Sequence, residues 1–178
     1  MQLNSDFLRL FLTYLYLVNI KMVDVLQTYP ADIFKPLHDL LLKRKIPKSM
    51  SNRKGFAPHR AITFGITTSR SHVTGLSFYS KKMPKIYEEI LKLGEIICPF
   101  PFKSIHLNNN VVCPKHLDRS NTGKSLLISF GDYEGCNIVI ENQVYDARHT
   151  PIIFNGAECE HWNTDNLRGN KYSLVFFN

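Results

Sequence analysis

Ser125-Leu126-Leu127-Ile128-Ser129-Phe130 is followed at once by Gly131-Asp132-Tyr133-Glu134-Gly135. An apolar run of this length that breaks on glycine and aspartate reads as a strand with a turn behind it. The texture recurs outward in both directions: Lys103–Leu107 precedes it, and Asn137–Ile140, Thr150–Phe154 and Tyr172–Phe177 follow, with Asn, Gly and Asp between them. Short strands at such close spacing predict a sandwich or barrel, and a jelly roll is one variety.

Further upstream the pattern changes. Asp6 to about Leu26, and Ala31 to Leu42 after Pro30, repeat apolar residues at helical spacing. Ala61–Thr68 suits a strand, and Pro84 opens a helix through Tyr87, Ile90, Leu91 and Leu93 that Gly94 is expected to close. Helices first and strands later predict a mainly β, α+β fold: a β-roll buttressed by N-terminal helices. With 178 residues and 44% hydrophobic content the chain suits a single domain, 1–178. Within it, 1–58 is expected to supply helical support and a basic loop, and 59–178 the β core.

Phe7–Ile20 is apolar but too short to span a bilayer, carries Arg9, and lacks a small-residue cleavage site behind it. It reads as a helix packed on the domain, with no membrane partner expected; Met22 is an alternative start. Cys98, Cys113, Cys136 and Cys159 form no C-x-x-C pair, which argues against a zinc knuckle and for reduced thiols in an intracellular, cytoplasmic or nuclear setting. A formal charge of +7 favours polyanions such as nucleic acid, or acidic membrane headgroups. Lys43-Arg44-Lys45, Pro47-Lys48 and Asn52-Arg53-Lys54-Gly55 make a basic, turn-rich connection that is either an anion-facing edge or a solvated loop.

The chemistry concentrates in Cys113-Pro114-Lys115-His116-Leu117-Asp118-Arg119. On an extended strand, residues two apart leave the same face, so His116 and Asp118 are placed as two ligands of one metal. Alone, H-x-D is equally a piece of polar surface. His161, three candidate strands downstream beside Trp162, would complete two histidines and one carboxylate, a donor set that leaves positions of iron(II) open. Alone, it is a half-buried histidine. Lys171 and Ser173 alternate on one face of the last strand while Leu174 and Phe176 turn away, so an ammonium and a hydroxyl could reach one carboxylate. An edge-strand lysine that deters aggregation is the other reading of Lys171.

The order H-x-D, Ser-Leu-Leu-Ile-Ser-Phe-Gly-Asp-Tyr-Glu-Gly, His161 and K-x-S-L-V-F-F resembles the iron(II)/2-oxoglutarate dioxygenase superfamily over roughly 103–178. Asn108-Asn109-Asn110, Asp118-x-x-Asn121, Gly131-x-x-x-Gly135 and the terminal Y-S-L-V-F-F are similar to the branch of ten-eleven-translocation and base-J-binding-protein oxygenases. That branch usually has arginine at the place of Lys171 and a second glycine where Cys136 stands; Arg168, read as lying in an Asn-Leu-Arg-Gly-Asn turn, is the rival cation.

The resemblance implies a double-stranded β-helix with Fe(II), 2-oxoglutarate and O2 as cofactor and cosubstrates. It assigns the metal and the catalysis to His116, Asp118 and His161. Lys171 and Ser173 would hold the cosubstrate, and Asn109 would touch it or the substrate unless it is merely a turn residue. The implied reaction is hydroxylation of a nucleic-acid base, on the methyl group of a thymine or 5-methylcytosine type pyrimidine, with DNA ahead of RNA as partner. Arg53, Lys54, His59, Arg60 and Arg70 are candidates for phosphate contacts. A prolyl or other side-chain hydroxylase and a non-catalytic β-roll binding module are the rival expectations.

Overall fold

The computed structural model describes residues 23–49, 60–68 and 72–178. The helix expected over Phe7–Ile20, the alternative start at Met22, and Arg53, Lys54, His59 and Arg70 lie outside them. In chain order the elements are β1 (Asp24–Val25), a 3-10 turn (Ala31–Phe34), α1 (Lys35–Leu42), β2 (Arg60–Thr68), β3 (Thr74–Leu76), α2 (Phe78–Lys82), α3 (Pro84–Ile97) and β4 (Ser104–Asn109). There follow β5 (Ser125–Glu134), β6 (Ile138–Ile140), β7 (Gln143–Tyr145), β8 (Ile152–Phe154), β9 (His161–Asn163) and β10 (Arg168–Phe177).

These strands form a seven-stranded antiparallel sheet, β1-β8-β5-β10-β4-β2-β3, and a smaller one, β7-β6-β9. Together they make the expected mainly β jelly roll, a double-stranded β-helix, with helices on one side. The larger sheet has two differently employed faces because strand side chains alternate. Ile105 and Leu107 of β4, Ile128 and Phe130 of β5, and Leu174 and Phe176 of β10 pack with Leu37 and Leu41 of α1 and Ile90 and Leu93 of α3. The opposite face carries His106, Asn108, Ser129, Lys171 and Ser173, and these line a cavity instead. A smaller apolar cluster, including Ile140, Ile152, Phe154 and Cys159, ties the small sheet to β8.

Three local expectations are corrected. The helical spacing read from Asp6 to about Leu26 does not hold at its described end, where Asp24–Val25 is a strand paired with Ile153 and Ile152 of β8. The helix begun by Pro84 does not stop at Gly94 but runs on to Ile97. Gly94 is there for space: a Cβ on it would lie 2.6 Å from the Phe102 ring and 2.9 Å from that of Phe176. Arg168, read as part of a turn, is the first residue of β10, opposite Glu134 of β5, and is exposed. Among the described residues none of the four cysteines is disulfide-bonded, and no helix is long and apolar enough to cross a membrane.

Candidate active site

His116 and Asp118 do not sit on a regular strand. Their segment is a loop zipped along the outer edge of β9, which explains their placement better than strand alternation does. Asn163 N donates to Cys113 O at 3.0 Å, and the Asn163 side chain accepts from Cys113 N at 3.0 Å. A main-chain bridge then joins His116 to His161. Asp118 is held from the other side, its N–H donating to Gly156 O at 2.7 Å. Gly156 belongs to a turn organised by Asn155, whose carbonyl accepts from Cys159 N and whose side chain accepts from Ala157 N. That turn delivers His161 at the start of β9.

One ligand atom from each of His116, Asp118 and His161 lies within 4.8 Å of the others. The imidazole orientations are fixed locally. His116 Nδ1 is 2.7 Å from Pro114 O, and His161 Nδ1 is 2.9 Å from Cys159 O. A carbonyl oxygen only accepts, so each Nδ1 bears a proton, and in the neutral imidazole that leaves each Nε2 presenting a lone pair. Both Nε2 atoms face the same carboxylate, at 3.7 Å from Asp118 Oδ1 and 3.5 Å from Oδ2. Such anchoring of the far nitrogen is how metal-ligating histidines are generally oriented. Phe154 packs its ring edge-on to His161 with centroids 5.0 Å apart, leaving that imidazole buried.

The three residues lie at one part of a cavity of about 730 Å³ between the sheets. Lys171 and Ser173 line its wall, and their β5 register partners are Gly131 and Ser129. Lys171 is 5% exposed; its ammonium donates to Cys136 O and stands 5.3 Å from the centre of the Tyr133 ring. Among the described residues no carboxylate pairs with it. A buried ammonium with a carbonyl and an aromatic face but no counter-charge favours an incoming anion.

Asn109 is not on the cavity wall: its side chain donates to Asn170 Oδ1 at 2.8 Å and to Lys171 O at 3.3 Å. Its neighbour Asn108 lines the cavity instead, as do His106, bonded to Thr63 at 2.9 Å, and Asn121. Arg60 is a strut rather than a surface cation, its guanidinium donating to Ile46 O at 2.6 Å. Ser129, whose hydroxyl is 2.8 Å from the Tyr133 hydroxyl, and Gly156 were also not singled out from sequence. The alternation of β5 against its apolar partners is the signal that finds Ser129.

No protein-family model matches the sequence, and no curated protein matches it. Solved structures do resemble its fold. NgTET1 in complex with 5mC DNA superposes with a TM-score of 0.62 at 15% identity, covering 87% of this chain and 71% of that one. A 2OG-Fe(II) oxygenase family oxidoreductase from Burkholderia pseudomallei gives 0.54 at 18% identity, covering 87% and 84%. A Pseudomonas putida prolyl-4-hydroxylase gives 0.56 at 11% identity, covering 90% and 95%. The fold is therefore the double-stranded β-helix found in these oxygenases.

Proposed function

We propose that this chain is an Fe(II)- and 2-oxoglutarate-dependent dioxygenase that hydroxylates a nucleic-acid base, with residues 1–178 acting as one catalytic domain. The observation that carries the reading is the pair of Nδ1 anchors on His116 and His161, which turn both Nε2 lone pairs onto Asp118. Two imidazoles and one carboxylate are the donor set of non-haem iron oxygenases. Bound there, Fe(II) with 2-oxoglutarate and O2 supplies oxidative decarboxylation to succinate, coupled to hydroxylation of a substrate C–H bond.

The chain's own part is positioning. His116, Asp118 and His161 hold the metal. Lys171, with Ser173 beside it, pairs with the far carboxylate of 2-oxoglutarate and orients it along the β10 wall. The cavity volume, about 730 Å³, leaves space for a flat heterocycle next to that cosubstrate. A base substrate, of DNA ahead of RNA, is favoured by the +7 charge and by the fold likeness to NgTET1 in complex with 5mC DNA. A pyrimidine methyl group is the carbon we assign, reached by taking the base out of its stack. The prolyl-4-hydroxylase likeness supports a second reading, hydroxylation of a protein side chain.

The test starts without oxygen. Fe(II) and then 2-oxoglutarate are added while the weak visible charge-transfer band of the ternary complex is followed. Succinate formation is then compared on single-stranded DNA, duplex DNA, RNA and proline-rich peptide, and the stimulating polymer is weighed for a gain of about one oxygen. Stimulation and oxygen gain on DNA are expected. Gain on peptide alone overturns the nucleobase assignment, and absence of the band with no metal bound reduces the chain to a binding module.

A further inference from the structure

The positive charge of this chain is not spread over its length. Eleven of its 22 Lys and Arg residues, and none of its 15 Asp and Glu, fall between positions 40 and 87. The remainder has more acids than bases, so the whole excess of +7 comes from that one segment. Its described parts include Lys48, at the rim of the cavity, and Lys81, Lys82 and Lys85, all exposed.

Amid these cations stands an aromatic ring that the fold holds out in water. Phe78 is 64% exposed and also lines the cavity, which places it at the mouth. Of the eight large hydrophobic residues that are exposed among the described ones, four (Ile66, Val73, Leu76 and Phe78) fall between positions 66 and 78. Ile66 and Leu76 are cross-strand partners in the β2–β3 pair. Clustering of this kind marks an interaction surface, where singly scattered apolar residues would not.

The ring is also rigidly mounted. Ser77 caps α2, its side chain accepting from Ser80 N at 3.1 Å, and both serines are buried. Ser77 N donates to Gly65 O at 2.8 Å, and Gly65 N donates to Ser80 Oγ at 2.8 Å. Gly65 itself has φ +83°, and a Cβ there would fall 2.1 Å from Lys103 O, so the main chain of β2 is committed to this arrangement. Tyr79 meets Phe78 edge-on at 5.2 Å, and the Lys82 ammonium lies 5.2 Å from the centre of the Phe78 ring. A presented aromatic face costs little further ordering when a flat partner stacks on it.

We infer that Phe78 is a stacking platform for an unpaired nucleobase of single-stranded nucleic acid. The base beside the one entering the cavity stacks on its ring, and Lys81 and Lys82 contact the adjoining phosphates. Aromatic rings interleaved with cations along a groove are how single strands are bound without sequence readout. The occupant is chosen by charge: a long acid-free segment around an aromatic ring complements a polyanion with flat bases. The inference rests on the nucleobase reading proposed above and adds where and in which strand state the polymer is held.

The experiment compares binding, by fluorescence anisotropy, of a labelled single-stranded pyrimidine oligonucleotide with one of equal length and charge built from abasic residues. The proteins are wild type, Phe78→Ala, Phe78→Trp and Lys81→Ala/Lys82→Ala, each first checked for a wild-type melting curve. Phe78→Ala is expected to weaken the base-bearing oligonucleotide on the order of tenfold and leave the abasic one unchanged, and Phe78→Trp to restore binding. The double lysine variant should weaken both alike and lower the salt slope by about 1.4, two phosphate contacts on a single strand. Equal binding of the base-bearing oligonucleotide by wild type and Phe78→Ala overturns the platform while leaving the nucleobase reading in place. Equal loss on both oligonucleotides also overturns it, since Phe78 would then touch no base. Binding of neither oligonucleotide by wild type, with proline-rich peptide bound instead, overturns both readings.

Discussion

His116 and His161 exchange both of their main-chain hydrogen bonds, His116 N to His161 O at 3.0 Å and His161 N to His116 O at 3.1 Å. The distance between the two imidazoles is thus set by backbone pairing, their ring centres standing 4.2 Å apart. Truncating one ring removes a ligand without removing the pairing that places the other. His161→Ala should therefore stay folded yet lose Fe(II) or Co(II) affinity by well over 100-fold, beyond the roughly 10–100-fold typical of losing an outer hydrogen-bond partner. Calorimetric titration measures this. Metal at about 100 times the wild-type Kd should stabilise wild type by about 2.7 kcal/mol and the variant by less than about 0.4 kcal/mol.

Lys171→Ala should raise the 2-oxoglutarate concentration for half-saturation by about 10- to 150-fold, equivalent to the roughly 1.5–3 kcal/mol of a hydrogen bond to a charged group. Metal binding should be unchanged. Arg168→Ala should leave both quantities alone, because Arg168 is exposed at the first position of β10 and does not line the cavity that Lys171 lines. Titrating the cosubstrate into each metal-loaded protein distinguishes them, and a large effect at Arg168 would transfer the role to it.

Gly94→Ala tests the packing between α3 and the larger sheet. Helix propensity favours alanine by about 1 kcal/mol. The new methyl, however, meets the Phe102 and Phe176 rings inside van der Waals distance. Overpacking of this kind costs about 1–3 kcal/mol, so the variant should unfold at lower denaturant concentration. A higher midpoint would show that the rings yield freely.

His149 stacks on Phe34 at 4.8 Å, and burial, with Arg148 beside it, pushes its pKa below the ordinary histidine range. The folded state then binds a proton less readily than the unfolded one. Stability from this group is complete above the unfolded value of about 6.5 and is lost as pH falls from there through the lower folded value. His149→Asn, chosen because φ is +57° there, should flatten the decline of melting temperature over that window. Parallel slopes for variant and wild type would remove His149 from the account.

Much of this architecture could be read directly from residue patterns. β2, β4, β5, β6, β8 and β10 emerged from apolar runs, and the 3-10 turn with α1 from helical spacing. β3, β7 and β9 are three residues long, as β6 and β8 are, but they mix polar with apolar residues, so no run marks them. The ligands of the candidate site were legible as residue types in order, but their convergence depends on main-chain pairing along β9, to which side-chain patterns are blind. Asn109 and Asn108 show the same limit at finer grain. In a run of three asparagines nothing marks which one faces inward, and a shift of one position exchanges the two faces. Gly94 was read as a stop because the rings that require it come from Phe102, past the end of the helix, and Phe176, far along the chain, and neither shows in the helical pattern itself.

β10 lies between β5 and β4 and divides its residues by parity: Lys171, Ser173 and Val175 face the cavity, while Tyr172, Leu174 and Phe176 face the helices. One strand thus holds two nearly independent mutational addresses. A library confined to its odd positions would search ligand preference over an intact scaffold, whereas the same diversity at even positions would be spent on repacking α1 and α3. Swapping the ligand a protein of this shape accepts then becomes a matter of choosing alternate codons.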